Sequence, residues 1–249
     1  MCLIVVGWRV HPDFPLVVAA NRDEFYARPT ALADFWVDVP DIIAGRDLEA
    51  GGTWLGISRG GRFAAVTNVR EPGAGKGRHS RGRLTQNFLA GRQGPEEYLR
   101  RLDPDDYSGF NLLLGDGDAL WYFSNRGTGP EVLEPGIYGL SNHLLDSPWP
   151  KLLTARQGFA RALGDLPDRS SLFRVLADDE IVADTELPAT GIPLEWERRL
   201  SAIFVHSAAY GTRASTVVTR TTAGDICLEE RSYGPNGQPI QSSLISTGV

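Results

Sequence analysis

Cys2 has the most chemistry to offer. The chain opens Met1-Cys2-Leu3-Ile4-Val5-Val6, so removal of Met1 leaves a thiol and a free α-amine on one residue. The thiol is a nucleophile. The amine, with a reference pKa of about 7.7–8.0, is partly unprotonated at neutral pH, where a lysine near 10.4 is almost fully charged. A nucleophile and a general base joined in this way can open amides and thioesters.

Partners for such a group can be sought along the chain. Leu16 to Ala20 is apolar and ends abruptly in Asn21-Arg22-Asp23-Glu24. A hairpin turn centred between Pro12 and Asp13 places Cys2 opposite Asp23, and the two prolines leave that register open by a couple of residues. Arg22 would then favour the thiolate, and Asp23 would accept a hydrogen bond from the α-amine. On these four residues alone, a strand end capped by solvated charges is the simpler reading. Asn68 ends the run Phe63-Ala64-Ala65-Val66-Thr67, and Asn142 sits in Gly139-Leu140-Ser141-Asn142-His143. An amide donor aimed at a developing oxyanion is worth about 3–4 kcal/mol; a turn or capping asparagine is the alternative. Arg213 precedes Ala214-Ser215-Thr216, where it could bind a substrate carboxylate, pair with Asp23, or stand exposed at a strand start.

The Gly-rich loop around Gly73-Ala74-Gly75-Lys76-Gly77 gathers Arg70, Lys76, Arg78, Arg81 and Arg83 before a helix start. It lacks the spacer and the Ser or Thr of a phosphate loop. Its basic residues suit a mobile lid over a charged substrate, or simply a solvated loop. Gly56-Ile57-Ser58-Arg59-Gly60 matches the G-x-S-x-G pattern, but an elbow needs a following helix and Phe63 to Val66 reads as a strand. Ser58 is therefore a hairpin residue. His11, His79, His143 and His206 are scattered without metal-ligand spacing.

These residues need elements to hold them. Cys2 to Arg9 is apolar on both alternating faces, as is Leu16 to Ala20, so both strands are covered on both sides. Thr53 to Ser58 and Phe63 to Val69 flank Arg59-Gly60-Gly61-Arg62. Phe110 to Gly115 and Ala119 to Ser124 flank Asp116-Gly117, and Arg213 to Arg220 and Ile226 to Ser232 flank Thr222-Ala223-Gly224-Asp225; all read as hairpins. Periodicity predicts helices over Leu84 to Ala90, Glu96 to Leu102, Trp149 to Leu163 and Ser171 to Ala177. Antiparallel hairpins with amphipathic helices predict an α+β fold: a four-layer αββα sandwich of two stacked, mainly antiparallel sheets.

Composition narrows the partners. The 249 residues are 42% hydrophobic and 9% aromatic, enough for a sizeable core in a single domain spanning residues 1–249. A net charge of −6 argues against nucleic acid. No apolar run approaches a membrane span, and Leu3 to Val6 is too short for a signal peptide. With only Cys2 and Cys227, two thiols in a reducing cytoplasm are expected; a disulfide would consume the nucleophile.

The blocks Met1-Cys2, Ala19-Ala20-Asn21-Arg22-Asp23-Glu24-Phe25, Gly51-Gly52-Thr53-Trp54-Leu55-Gly56, Thr67-Asn68, Gly139-Leu140-Ser141-Asn142 and Tyr210-Gly211-Thr212-Arg213 resemble, in order, the NRDE family of Transport and Golgi organisation protein 2-like chains. That family is in turn similar to N-terminal nucleophile hydrolases of the choloylglycine hydrolase and penicillin acyltransferase group. The resemblance implies the αββα sandwich and a hydrolase or acyltransferase acting on an amide or thioester, with an acylated or acyl-CoA-like partner. It implies Cys2 as nucleophile and base, Arg22 and Asp23 as its support, Asn68 and Asn142 near the oxyanion or amine, and Arg213 completing the cluster. It implies no cofactor. The family's links to acyl lipids, trafficking and haem give an alternative: a non-catalytic carrier of haem or acyl lipid on the same scaffold, with His79, His143 or Cys2 as candidate axial ligands.

Overall fold

A strand apolar on both faces must be buried from both sides, and β1 (Cys2–Trp8) is buried at every position. A computed structural model of the chain describes residues 2–75 and 77–248. After β1 come β2 (Leu16–Phe25), β3 (Thr30–Phe35), β4 (Ile42–Asp47), β5 (Leu55–Ser58) and β6 (Phe63–Asn68). Helices α1 (Gly82–Ala90) and α2 (Pro95–Arg101) precede β7 (Phe110–Gly115), β8 (Leu120–Ser124), β9 (Glu131–Leu133) and β10 (Gly136–Leu140). Then follow α3 (Pro150–Ala162), α4 (Ser170–Leu176) and α5 (Leu194–Arg199), with β11 (Tyr210–Arg220), β12 (Ile226–Tyr233) and β13 (Pro239–Thr247) closing the chain.

The strands form two antiparallel sheets. The first runs β10-β1-β2-β11-β12-β13, and the second runs β3 to β9 in chain order. Between the sheets lie Ile4, Val6, Val18 and Val218 against Ile43, Ile57, Phe63 and Leu113. On the outer face of the first sheet, Leu3, Val5, Val17 and Val217 meet Leu152, Phe159 and Leu172 of α3 and α4. On the outer face of the second, Ala64, Leu112 and Leu114 meet Leu84, Phe88 and Leu99 of α1 and α2. The layers are helix, sheet, sheet, helix, as the hairpins and helical periodicity predict.

One register differs from the expected one. Cys2 pairs with Arg22, not Asp23, and Trp8 pairs with Leu16. The turn, residues 9–15, is centred on Pro12 itself, with Arg9 at φ 51° and its N–H donating to the Pro15 carbonyl at 2.7 Å. The shift of one residue matters because directly opposed residues share a face. Cys2 and Arg22 share the inter-sheet face with Ile4 and Ala20, and Asp23 goes with Asn21 to the helix-covered face. The elements that no periodicity marked out are β3, β4, β9, β10, β13 and α5.

Candidate active site

Antiparallel pairing brings the start of β1, the end of β2, the end of β10 and the start of β11 to one edge of the first sheet. The end of β6 comes from the second sheet. A cleft of about 580 Å3 opens there between the sheets, lined by Cys2, Arg22, Asn68, Arg78 and Arg81 among others.

Cys2 is 8% exposed. Burial pushes its thiol above the ordinary range; the charges of Asp23 and Glu24 add to this and Arg22 opposes it. The Cys2 carbonyl accepts the Ser141 hydroxyl at 3.0 Å, which fixes the strand start against the Gly139–Asn142 segment. Arg22 is 7% exposed. Its Nη2 lies 3.8 Å from Glu24 Oε2 and 3.7 Å from Asp47 Oδ2, and its Nη1 donates to Thr30 Oγ1 at 3.4 Å, so it bridges the sheets beside the thiol.

The asparagines meet. Asn142 is fully buried, and its Nδ2 donates to the Asn68 carbonyl at 3.0 Å and to Asn68 Oδ1 at 2.9 Å. An amide that accepts through Oδ1 keeps its own Nδ2 donors for other partners, and Asn68 lines the cleft. Ser141 Oγ also lies 3.2 Å from Asn142 Oδ1, sharing its single proton between that oxygen and the Cys2 carbonyl, and Thr67 Oγ1 donates to the Ser141 carbonyl at 2.6 Å. The two sheets are thus stitched together beside the thiol.

Asp23 lies behind Cys2, 1% exposed, and still contributes to the cleft lining. Its Oδ1 accepts the Thr212 hydroxyl at 2.8 Å, and its backbone carbonyl accepts the Tyr210 hydroxyl at 3.2 Å. Burial raises its pKa, against which Lys151, the Thr212 hydrogen bond and Arg22 all act.

Arg213 neither pairs with Asp23 nor sits free at a strand start. The β2–β11 ladder shifts between Thr212 and Ala214, and this bulge at Arg213 re-aims its side chain. Its Nη1 donates to the carbonyls of Phe25, Tyr26 and Arg28 at 3.1, 2.8 and 2.9 Å. It clamps the turn that follows β2, and from there it still lines the cleft.

The basic loop divides. Arg70 leaves the cleft: its Nη1 meets Glu197 Oε2 at 3.0 Å and Thr190 Oγ1 at 3.1 Å, and its guanidinium stacks over Trp149. That corrects its expected place among the substrate-binding residues, because α5 supplies a buried carboxylate partner that the sequence did not announce. Arg78 is exposed and pairs with Asp106 at 2.7 Å. Arg81 donates to the Gly109 carbonyl at 3.1 Å and feels the Cys2 thiol. Lys76 lies outside the described residues, as does Met1. The described part of the loop is fastened, not hinged. The Gly77 N–H donates to Ser108 Oγ at 2.7 Å, Ser108 Oγ donates to the Gly75 carbonyl at 3.2 Å, and the His79 N–H donates to the Asp106 carbonyl at 3.0 Å. It forms a wall of the cleft.

His79 lines the cleft with Nε2 3.9 Å from Asp106 Oδ2, and His143 is exposed with Nδ1 2.8 Å from Ser147 Oγ. Among the described residues no group of His, Cys, Asp and Glu is arranged to hold a metal ion, and no helix is long and apolar enough to cross a membrane. Cys2 and Cys227 are both free thiols. Sequence reasoning missed Ser141, Lys151, Glu197, Tyr210 and Thr212. Ser141, Tyr210 and Thr212 lie inside quoted blocks; nothing local distinguishes Lys151 or Glu197 from surface charges.

Residues 1–235 match the model of a family described as Transport and Golgi organisation 2. The chain is 38% identical to a Transport and Golgi organization protein 2 homolog from Bos taurus, over 93% of both chains. It is 37% identical to the Homo sapiens homolog, again over 93% of both, and 30% identical to the Drosophila melanogaster protein, over 88% of this chain and 87% of that one. Among solved structures, a Caenorhabditis elegans ortholog of N-acylethanolamine-hydrolyzing acid amidase superposes with a TM-score of 0.50, covering 87% of this chain and 92% of that one at 14% identity. At that identity the likeness is one of fold.

Proposed function

The chain belongs to the Transport and Golgi organisation 2 family, and from that premise we propose that it is an N-terminal-cysteine hydrolase or acyltransferase acting on an amide or thioester once Met1 has been removed. The observation that carries this reading is the meeting of Cys2, Arg22 and the Asn142-held Asn68 at the head of one cleft. Neither a strand end capped by solvated charge nor a turn asparagine accounts for their burial and convergence.

The chemistry follows from the geometry. The unprotonated α-amine of Cys2 takes the thiol proton, and the sulfur attacks the substrate carbonyl carbon. The carbonyl electron pair moves to oxygen, where Asn68 Nδ2 donates to it. Collapse breaks the carbon–nitrogen or carbon–sulfur bond, and the Cys2 ammonium returns its proton to the leaving amine or thiolate. Water, or an acceptor amine, then attacks the acyl-thioester, giving up a proton to the α-amine, and Cys2 leaves as a thiol. Arg22 opposes the burial that would keep the thiol protonated. The basic wall, Arg78 and Arg81, suits an anionic portion of the substrate such as the phosphates of an acyl-CoA-like ligand.

The test is intact-protein mass of the purified chain before and after exposure to a small thioester. The expected result is a species lacking Met1 that gains one acyl group, with no gain in Cys2→Ala. Equal acylation and equal turnover in Cys2→Ala would end this reading.

A further inference from the structure

Strand β7 reads Phe110-Asn111-Leu112-Leu113-Leu114-Gly115, and its one amide points into the space between the sheets. Asn111 is fully buried and shares its face with Leu113 of the inter-sheet core. A side-chain amide taken out of water is costly unless its hydrogen bonds are replaced, and here they are. Asn111 Nδ2 donates to Thr67 Oγ1 at 3.0 Å and to the His143 carbonyl at 2.9 Å. Its Oδ1 accepts the Tyr122 hydroxyl at 2.9 Å. Thr67, on β6, is the residue directly opposite.

The acceptors fix the destination of each proton. A carbonyl can only accept, so Nδ2 and not Oδ1 faces His143, and the amide has one orientation. The Tyr122 hydroxyl takes the Leu145 N–H at 3.1 Å and gives its own proton to Asn111. Thr67 Oγ1 takes an amide proton and gives its hydroxyl proton to the Ser141 carbonyl at 2.6 Å. The three ends of this network, Ser141, His143 and Leu145, all lie on the segment after β10, whose ladder with β1 stops at Leu140. Side chains of the second sheet therefore hold a stretch that its own sheet does not. Thr67 precedes Asn68 and Ser141 precedes Asn142, so the Thr67–Ser141 bond spans the same gap as the Asn142–Asn68 bond.

Resting on the proposed N-terminal-cysteine reading, we infer that Asn111 is a positioning residue for the Asn68–Asn142 pair: through Thr67 and the His143 carbonyl it sets where Asn142 holds the Asn68 amide for the developing oxyanion. Asn111 does not line the cleft, so it acts only through these contacts. A leucine in its place would continue the apolar run with no polar group to satisfy. A fully satisfied buried network instead fixes one arrangement of the groups it joins, and a donor misplaced by about 1 Å costs up to about a hundredfold in rate.

The experiment measures kcat and KM for thiophenol release from S-phenyl thioacetate, in full-length protein whose Met1 removal has been checked by mass. Thr67→Val keeps the branched shape and removes the hydroxyl; Asn111→Ala removes the amide. Each is expected to lower kcat about 10–100-fold with KM unchanged. Combined, they are expected to lose little more than the worse single variant, because both break one network. The deciding comparison is made in Asn68→Ala, where the donor is already gone. There, adding Thr67→Val is expected to lower kcat by no more than about twofold, whereas a merely structural role would cost the same factor with or without Asn68. An equal loss in both backgrounds, or a wild-type kcat in Thr67→Val, overturns the inference and leaves Cys2 standing as the nucleophile. Release that survives in Cys2→Ala removes the underlying reading instead. Should Asn111→Ala not fold, Tyr122→Phe joins Thr67→Val in the test. It takes away the hydroxyl that holds Asn111 Oδ1, and its loss is expected to be smaller and again confined to protein that retains Asn68.

Discussion

Asn68 offers Oδ1 to Asn142 Nδ2 at 2.9 Å, and this one bond divides the labour of the two amides. Asn142 is sealed away and spends its donors on Asn68, so in the proposed mechanism it acts only through its neighbour. Asn68→Ala is expected to lower the acylation rate about 10²–10³-fold, the usual loss for one oxyanion donor, with little change in KM. Asn142→Ala should cost less, and the double variant should be little worse than Asn68→Ala alone, because both changes act through the same donor; additive losses would show that Asn142 reaches the substrate itself. At this scale the sequence pointed to Cys2 at the head of an apolar strand, and to Arg22, Asp23, Asn68 and Asn142 near places where apolar runs give way to polar residues. It could not carry Lys151. A lysine after Trp149-Pro150 reads as a solvated first-turn residue, and only the approach of the Leu200 segment covers it.

The elements place these side chains by register and by close backbone approach. Gly52 shows how tightly. A Cβ there would stand 2.5 Å from the backbone carbonyl of Gly82, and backbone cannot step aside as a flexible side chain can. Gly52→Ala should therefore push the start of α1, and with it Arg81, off the cleft wall, at a cost of about 1–3 kcal/mol visible as a lowered Tm. An unchanged Tm and unchanged reactivity of Cys2 would contradict the fit. Ser108→Ala addresses the same wall more gently. It removes the acceptor of the Gly77 N–H, and a loss of about 1 kcal/mol should appear as faster amide exchange and proteolysis within residues 70–82, with exchange in β1 unaltered. The bulge at Arg213 and the Pro12-centred turn were beyond sequence reasoning, because both depend on one inserted residue that periodicity of two does not record. Strand β13 escaped notice for another reason: on the sheet edge it is mostly exposed, so it lacks the apolar faces that betrayed β1 and β2.

For the whole molecule, the question is what binds the two sheets at the polar end, where the apolar filling gives way to the cleft. Apolar patterning accounts for the layers, since strands such as β1 and β2 demand cover on both faces. It says nothing of Glu230, which reads as one more surface acid in Glu229-Glu230-Arg231. In the fold Glu230 is 4% exposed. Its Oε1 accepts the Ala33 N–H from the opposite sheet at 2.8 Å, and its Oε2 accepts the Thr216 hydroxyl at 3.1 Å. Burial raises its pKa, opposed by those two hydrogen bonds and by Arg22. The folded-state pKa therefore lies above the unfolded one, so the folded chain holds this proton more tightly. The stability it contributes is fully present below the unfolded value of about 4.3 and is lost as pH rises through the folded pKa. At neutral pH the charge opposes folding. Glu230→Gln keeps the carbonyl acceptor for Ala33 and removes the charge, and the Thr216 hydroxyl can turn to accept from the new amide. The variant should melt higher than wild type at neutral pH, by about 2–4 °C for each kcal/mol recovered, and the gain should shrink as pH falls through the raised folded-state pKa. A gain of the same size at every pH would assign the effect to packing, and a lower Tm at neutral pH would mean that the ionised carboxylate, held by Arg22, is what ties the sheets together.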